Sequence, residues 1–226
     1  MEPTLNYILA TDGLSGNLNK LQKEVGVKHR VVHIIRHMKD SKDVVSKVEE
    51  YIRHLDSNII PIVIVSAGSR DVSVDHLGLS HISNSIIRDS NNNLTTYAVD
   101  YLKDIFENLK SLVSSRGGKI VFSFLVPCPK EQMYGVSSNS LKIQKALSEI
   151  FVSCNDMIDS LNDGPTPDIK QFVEVKGRRS CMPARRQKKI RNINYTDGVQ
   201  PVRKVQVEML KVLCRYMDIL KSMLHE

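Results

Sequence analysis

Ile60-Pro61-Ile62-Val63-Ile64-Val65-Ser66-Ala67-Gly68-Ser69-Arg70-Asp71 decides how the rest of the chain is read. It is a short run of β-branched residues that ends abruptly in small residues and an Arg-Asp pair. A run this apolar, without polar alternation, reads as a strand buried on both faces of a parallel sheet. In such sheets ligands bind beyond the carboxyl ends of the strands. Ser66 to Asp71 therefore falls where function is expected.

Similar segments lie on either side. Leu5 to Thr11, Arg30 to Ile35, Lys119 to Val126 and the shorter Phe172 to Val175 read as further strands. Between them, apolar residues recur at helical intervals over Leu14–Val25, Val44–Leu55, Thr95–Leu112, Ser140–Leu161 and Val199–His225. Asp40 or Ser41 is placed to cap the second helix, and Arg116-Gly-Gly118 to end the third. Val72 to Leu94 is polar and reads as a long connection. Strict β-α alternation requires right-handed crossovers. The expectation is one α/β domain over residues 1–226: a three-layer α/β/α sandwich around a five-stranded parallel sheet in the flavodoxin-like order 2-1-3-4-5.

Composition narrows the function classes. Apolar residues make up 41% of the 226 and charged residues 25%, ordinary values for a globular chain. No apolar run reaches the roughly 18 residues of a membrane span, and no leader pattern opens the sequence. A cytosolic or nuclear protein without a membrane partner is expected. Cys128, Cys154, Cys181 and Cys214 are too scattered for a zinc or redox motif, so free thiols are expected. His33 and His37 flank a strand end and share no helix face. No metal and no cofactor are expected.

The net charge of +7 is local. Lys176 to Lys204 holds ten Lys/Arg against one acid, Asp197, which leaves the remainder slightly acidic. Arg178, Arg179, Arg185, Arg186, Lys188, Lys189 and Arg191 fall within fourteen residues. Lys28, Arg30, Arg36, Lys39 and Lys42 surround the second strand. Such concentration favours a polyanion, with phosphate contacts from these arginines and lysines. A solvated basic loop and a nuclear-localisation signal over Arg185–Arg191 are the alternative readings. Aromatic residues make up only 5%, without tryptophan, and no zinc-finger or RNP-like pattern exists. RNA recognition would rest on phosphates and shape.

Three turns at sheet ends line up: Thr11-Asp-Gly-Leu-Ser15, Ala67-Gly-Ser-Arg-Asp71 and Asp197-Gly-Val-Gln200. In order, spacing and context the chain resembles the SGNH (GDSL) hydrolases over nearly its whole length. The resemblance implies a serine nucleophile after the first strand, oxyanion donors after the third, and an Asp-x-x-His pair before the last helix. Asp12, Gly68, Asp71 and Asp197 match. Gly13 stands at the nucleophile, Arg70 at the oxyanion asparagine and Gln200 at the base histidine. Glycine has no nucleophile and an amide takes no proton near neutral pH. The expectation is therefore that the chain is not an enzyme, with Arg70 one further positive charge for RNA. The basic clusters make it most similar to a branch of the family found in insect germ plasm. That likeness implies an mRNA-binding domain, germ-granule protein partners, a cytoplasmic ribonucleoprotein-granule location and another domain upstream. An esterase with a displaced nucleophile at Ser15 or Ser69, and a protein-interaction scaffold, are the rival expectations.

Overall fold

Parallel strands form the centre of the molecule because helices cover their apolar side chains on both faces. In the computed structural model, which describes residues 4–12, 14, 18–26, 29–36, 40–72, 94–125, 138–169 and 203–224, the first three are β1 (Thr4–Thr11), β2 (Val31–Ile35) and β3 (Ile59–Ser66). A fourth, β4 (Lys119–Phe122), completes an all-parallel sheet of order β2-β1-β3-β4. Leu9 faces His33 and Ile64 across the two ladders of the central strand.

Successive side chains of each strand enter opposite layers. Ile8, Ala10, Val63, Val65, Ile120 and Phe122 pack beneath α2 (Ser41–Arg53), α3 (Leu94–Ser115) and α4 (Ser138–Leu161). Tyr7, Leu9, Ile62, Ile64 and Val121 pack beneath α1 (Leu18–Glu24) and α5 (Arg203–Ser222). Ile62, Val63 and Ile64 are fully buried, each worth about 1.5–3 kcal/mol of transfer free energy. The three-layer sandwich and the relative order of its first four strands are as the sequence implies.

The sheet has four described strands, not five. Phe172–Val175 lies outside the described residues. The outer edge of β4 is closed by side chains: Ile120 N donates to Asp163 Oδ2 at 3.0 Å and Phe122 N to Asn162 Oδ1 at 2.7 Å. Asn162 Nδ2 returns a bond to the Phe122 carbonyl at 2.9 Å. The loop after α4 thus takes the backbone groups a fifth parallel strand would need along that stretch.

Helix ends follow their caps. Asp40 accepts the Asp43 N–H at 2.9 Å and starts α2. At the end of α3, Gly117 has φ +69°, Gly118 N bonds the Val113 carbonyl and Gly117 N the Ser114 carbonyl, the Schellman pattern. A Cβ on Gly118 would overlap the Pro61 carbonyl oxygen and come within 2.9 Å of Pro61 Cγ and Val113 Cγ1. Among the described residues no helix is long and apolar enough to cross a membrane.

Candidate functional site

The carboxyl ends of β1, β2 and β3 are held level by two backbone bonds, Asp12 N to the Ser66 carbonyl at 3.2 Å and Arg36 N to the Thr11 carbonyl at 2.9 Å. Beyond β3 the chain turns at Gly68, whose φ is +108° and whose missing Cβ leaves room for Leu125 Cδ2, 3.0 Å from where it would stand. The Asp71 N–H closes that turn on the Gly68 carbonyl at 3.1 Å. Only glycine tolerates both the dihedral and the contact.

The turn buries Asp71, 2% exposed, with Oδ2 accepting the Ser41 N–H at 2.9 Å. Ser41 opens α2, so the carboxyl meets the positive end of a helix. Burial still dominates and lifts Asp71 to about 7. The Ser41 N–H opposes the rise, while Asp40 and Asp12 add to it. Asp12 is lifted to about 6 by burial, against the pull of the Arg70 guanidinium and of backbone N–H groups at Asp12 and Gly68. Two carboxyls at one sheet edge therefore exchange protons near neutrality, the range useful for acid–base chemistry.

The expected phosphate ligands fall in different places. Arg36, at the carboxyl end of β2, is clamped by Asp43 through Nε at 2.7 Å and Nη2 at 3.1 Å, which raises its pKa further. Arg70 stands half-buried beside Asp12. Arg30 is exposed at the opposite end of β2, roughly 20 Å from Arg36 at the rise of a strand. The structure brings Arg70 to Asp12 and does not bring Arg30 to either arginine. Ser69 lies in the same turn, half-buried. Gly13, Ser15, Lys28, His37, Lys39, Arg178, Arg179, Arg185, Arg186, Lys188, Lys189, Arg191, Asp197 and Gln200 lie outside the described residues, as do Cys128 and Cys181. Cys154 and Cys214 are buried free thiols, and burial pushes both up, to about 12 and about 11.

The described histidines serve local structure. His33 Nε2 is 3.2 Å from Thr11 Oγ1. His29 stacks on Tyr7 at 4.2 Å and lies 3.5 Å from Asp218. Among the described residues no three His, Cys, Asp or Glu side chains cluster as metal ligands.

Solved structures share this architecture. The chain superposes on a member of the lipolytic G-D-S-L family from Veillonella parvula with a TM-score of 0.55 and 9% identity, covering 96% of this chain and 97% of that one. A GDSL-like lipase from Bacteroides thetaiotaomicron matches with a TM-score of 0.55 and 14% identity, covering 97% and 89%. The fold is that of the SGNH hydrolases. No family model and no curated protein matches the sequence. The similar structures are lipolytic, and this overturns the expectation that the chain is not an enzyme. That expectation rested on Gly13 and Gln200, residues outside the described set, and on Arg70. The described edge retains Asp12 and Asp71 as titrating carboxyls. The Asp12–Asp71 relation was missed in the sequence, although two acids directly after two parallel strands were a signal for it.

Proposed function

We propose that this SGNH-fold protein binds RNA, mRNA and its 3′ untranslated regions in particular, through its basic clusters. The observation that carries the reading is the charge of Lys176 to Lys204, ten cations against one acid in a chain whose remainder is slightly acidic. Counterion release from RNA phosphates gives such a segment its affinity. The pattern of Asp12-Gly13, Gly68 to Asp71 and Asp197 to Gln200, together with the basic clusters, resembles the C-terminal domain of insect Oskar. That resemblance supports a role in germ-plasm assembly and mRNA localisation, in cytoplasmic ribonucleoprotein granules with other granule proteins. Arg178, Arg179, Arg185, Arg186, Lys188, Lys189 and Arg191 carry the contacts in this reading, with Arg30 as an exposed addition. Arg36 would first have to release Asp43, and Arg70 already lies in the field of Asp12. The test is a binding titration of labelled RNA against the Arg185→Glu/Arg186→Glu variant. A fall of tenfold or more is expected, and unchanged affinity in the folded variant would sink this site.

A second reading, ester hydrolysis, is favoured by Asp12 and Asp71 titrating near neutrality at the strand ends. It needs a nucleophile, for which Ser69 and Ser15 are the candidates. Labelling by a serine-directed fluorophosphonate, with the adduct mapped to one of these two serines, supports hydrolysis. An unlabelled protein counts against it.

A further inference from the structure

The two outer layers carry opposite charge. Helices α1 and α5, on one face of the sheet, hold seven Lys/Arg against three acids, Glu24, Glu208 and Asp218. Helices α2, α3 and α4, on the other, hold seven Lys/Arg against nine acids. The sequence hides this division because α1 and α5 are about 180 residues apart. Lysine–carboxylate ion pairs and a histidine–carboxylate contact link the elements of the basic layer. Lys211 reaches Glu24 of α1 at 3.7 Å as well as Glu208 at 3.1 Å. His29, just before β2, reaches Asp218 at 3.5 Å. The acids of this face are thus engaged in holding it together. Among the described residues, Lys23, Arg30, Arg203, Lys204 and Arg215 are exposed and have no carboxylate partner.

These cations are ordered along one track. Lys204, Lys211 and Arg215 stand at i, i+7 and i+11 of α5, within about 40° of one another around the helix, and span roughly 16 Å of its length. Lys23 borders the track through the Glu24–Lys211 pair, and Arg30 borders it through the His29–Asp218 pair. The track begins at Arg203 and Lys204, the last two residues of the basic segment. Among the described residues no base-stacking platform accompanies it: Tyr216 is half-buried with its hydroxyl on the Thr166 carbonyl at 3.2 Å, and Tyr7 is buried beneath His29.

We infer that the α1–α5 face is a binding track for the phosphate backbone of single-stranded RNA, with Lys23, Arg30, Lys204, Lys211 and Arg215 as its contacts. It rests on the RNA-binding reading and gives it a rigid, helix-borne surface outside the Arg178–Arg191 loop. Rows of cations without stacking partners read phosphates and not bases, so the track adds affinity with little sequence preference and a steep salt dependence.

The experiment is fluorescence anisotropy with a labelled single-stranded RNA of mixed sequence, about 20 nucleotides long, over a salt series. The proteins are the full chain, Lys204→Glu/Arg215→Glu, Lys23→Glu/Arg30→Glu, Arg185→Glu/Arg186→Glu, and Lys103→Glu on the opposite layer. Each track variant should bind at least fivefold more weakly, and its log K against log salt should be shallower by about 1.4, two contacts at roughly 0.7 each. Lys103→Glu should stay within twofold. If the full chain binds and Arg185→Glu/Arg186→Glu weakens it while both track variants bind as the parent does, the track is wrong and the RNA reading stands. If the full chain binds no RNA, the RNA reading falls and takes the track with it. A Lys103→Glu loss equal to those of the track variants would overturn the assignment to one face. So would track variants that lose binding to polyglutamate and not to RNA.

Discussion

Replacing Asp71 by asparagine tests whether the carboxyl edge stores electrostatic strain. Asp71 has a pKa of about 7 in the folded protein against an ordinary 3.8, because burial penalises its charged form more than the Ser41 N–H relieves it. A raised acid binds its proton more tightly folded than unfolded. Between about pH 4 and pH 7 the folded state therefore holds more protons, and stability falls as pH rises through that window. Above about pH 7 the loss is complete. Three decades at about 1.36 kcal/mol each set an upper bound of about 4 kcal/mol, and relaxation of the turn reduces the expected figure to about 2 kcal/mol. The amide of the Asp71→Asn variant would imitate the protonated acid. Its oxygen can still accept the Ser41 N–H, now 2.9 Å from Asp71 Oδ2. Urea unfolding of both proteins from about pH 3.5 to pH 8, with equal m-values, reads the difference. The variant should match the parent below about pH 4, draw ahead of it as the pH rises, and exceed it by about 2 kcal/mol at pH 8. Asp12, which raises Asp71 through its charge, should itself titrate lower in the variant. A stability difference that does not change with pH, or a variant less stable at pH 8, refutes the strain.

Two further perturbations test the frame around this edge. Gly118→Ala puts a methyl onto the Pro61 carbonyl oxygen and should cost at least about 3 kcal/mol in urea unfolding. Gly26→Ala, with φ +78° and open space around it, should cost only about 1 kcal/mol. Asn162→Ala leaves both the N–H and the carbonyl of Phe122 without their partner. A loss of about 2–4 kcal/mol is expected at roughly 1–3 kcal/mol per buried group, and hydrogen exchange at Phe122 should quicken.

The central strands were legible because burial on both faces leaves runs such as Ile62 to Val65 with nothing polar to confuse them. Helix periodicity was read less well at the ends. Leu14 fits the helical spacing and is buried, yet α1 starts at Leu18, because periodicity reports which side chains face the core and not which backbone groups are bonded. Residues 199–202, expected to open α5, lie outside the described residues, and the helix is described over Arg203–Ser222. The expected fifth strand, Phe172–Val175, lies outside the described residues, and the closing of the β4 edge was hidden for a different reason. Asn162 and Asp163 take up the edge of β4 from some 40 residues away, and no local pattern announces a side chain that imitates a strand. Asp71 was read as a relic of a family motif, while its bond to Ser41 joins residues 30 apart. The carboxylate that takes Arg36 out of the free cations, Asp43, is only seven residues away and could have been weighed.

Where the charges sit makes the two proposed activities separable. At the carboxyl edge Arg36 is paired with Asp43 and Arg70 lies in the field of the buried Asp12, so a phosphate arriving there competes with carboxyl groups already in place. On the α1–α5 face the acids bond within the face and the exposed cations remain unanswered. A polyanion gains more from the second surface, since it displaces counterions at Lys23, Arg30, Lys204 and Arg215 and meets a competing protein ion pair only at Lys211. The sheet supports this division physically. The edge is built from turns at the strand ends, whereas the face is the outer side of helices whose inner sides fill the core. Charge reversal on the track should therefore leave the Asp12 and Asp71 titrations unchanged. Asp71→Asn should in turn leave RNA affinity unchanged. Loss of RNA binding in Asp71→Asn at full stability would mean that the polyanion occupies the strand-end edge instead.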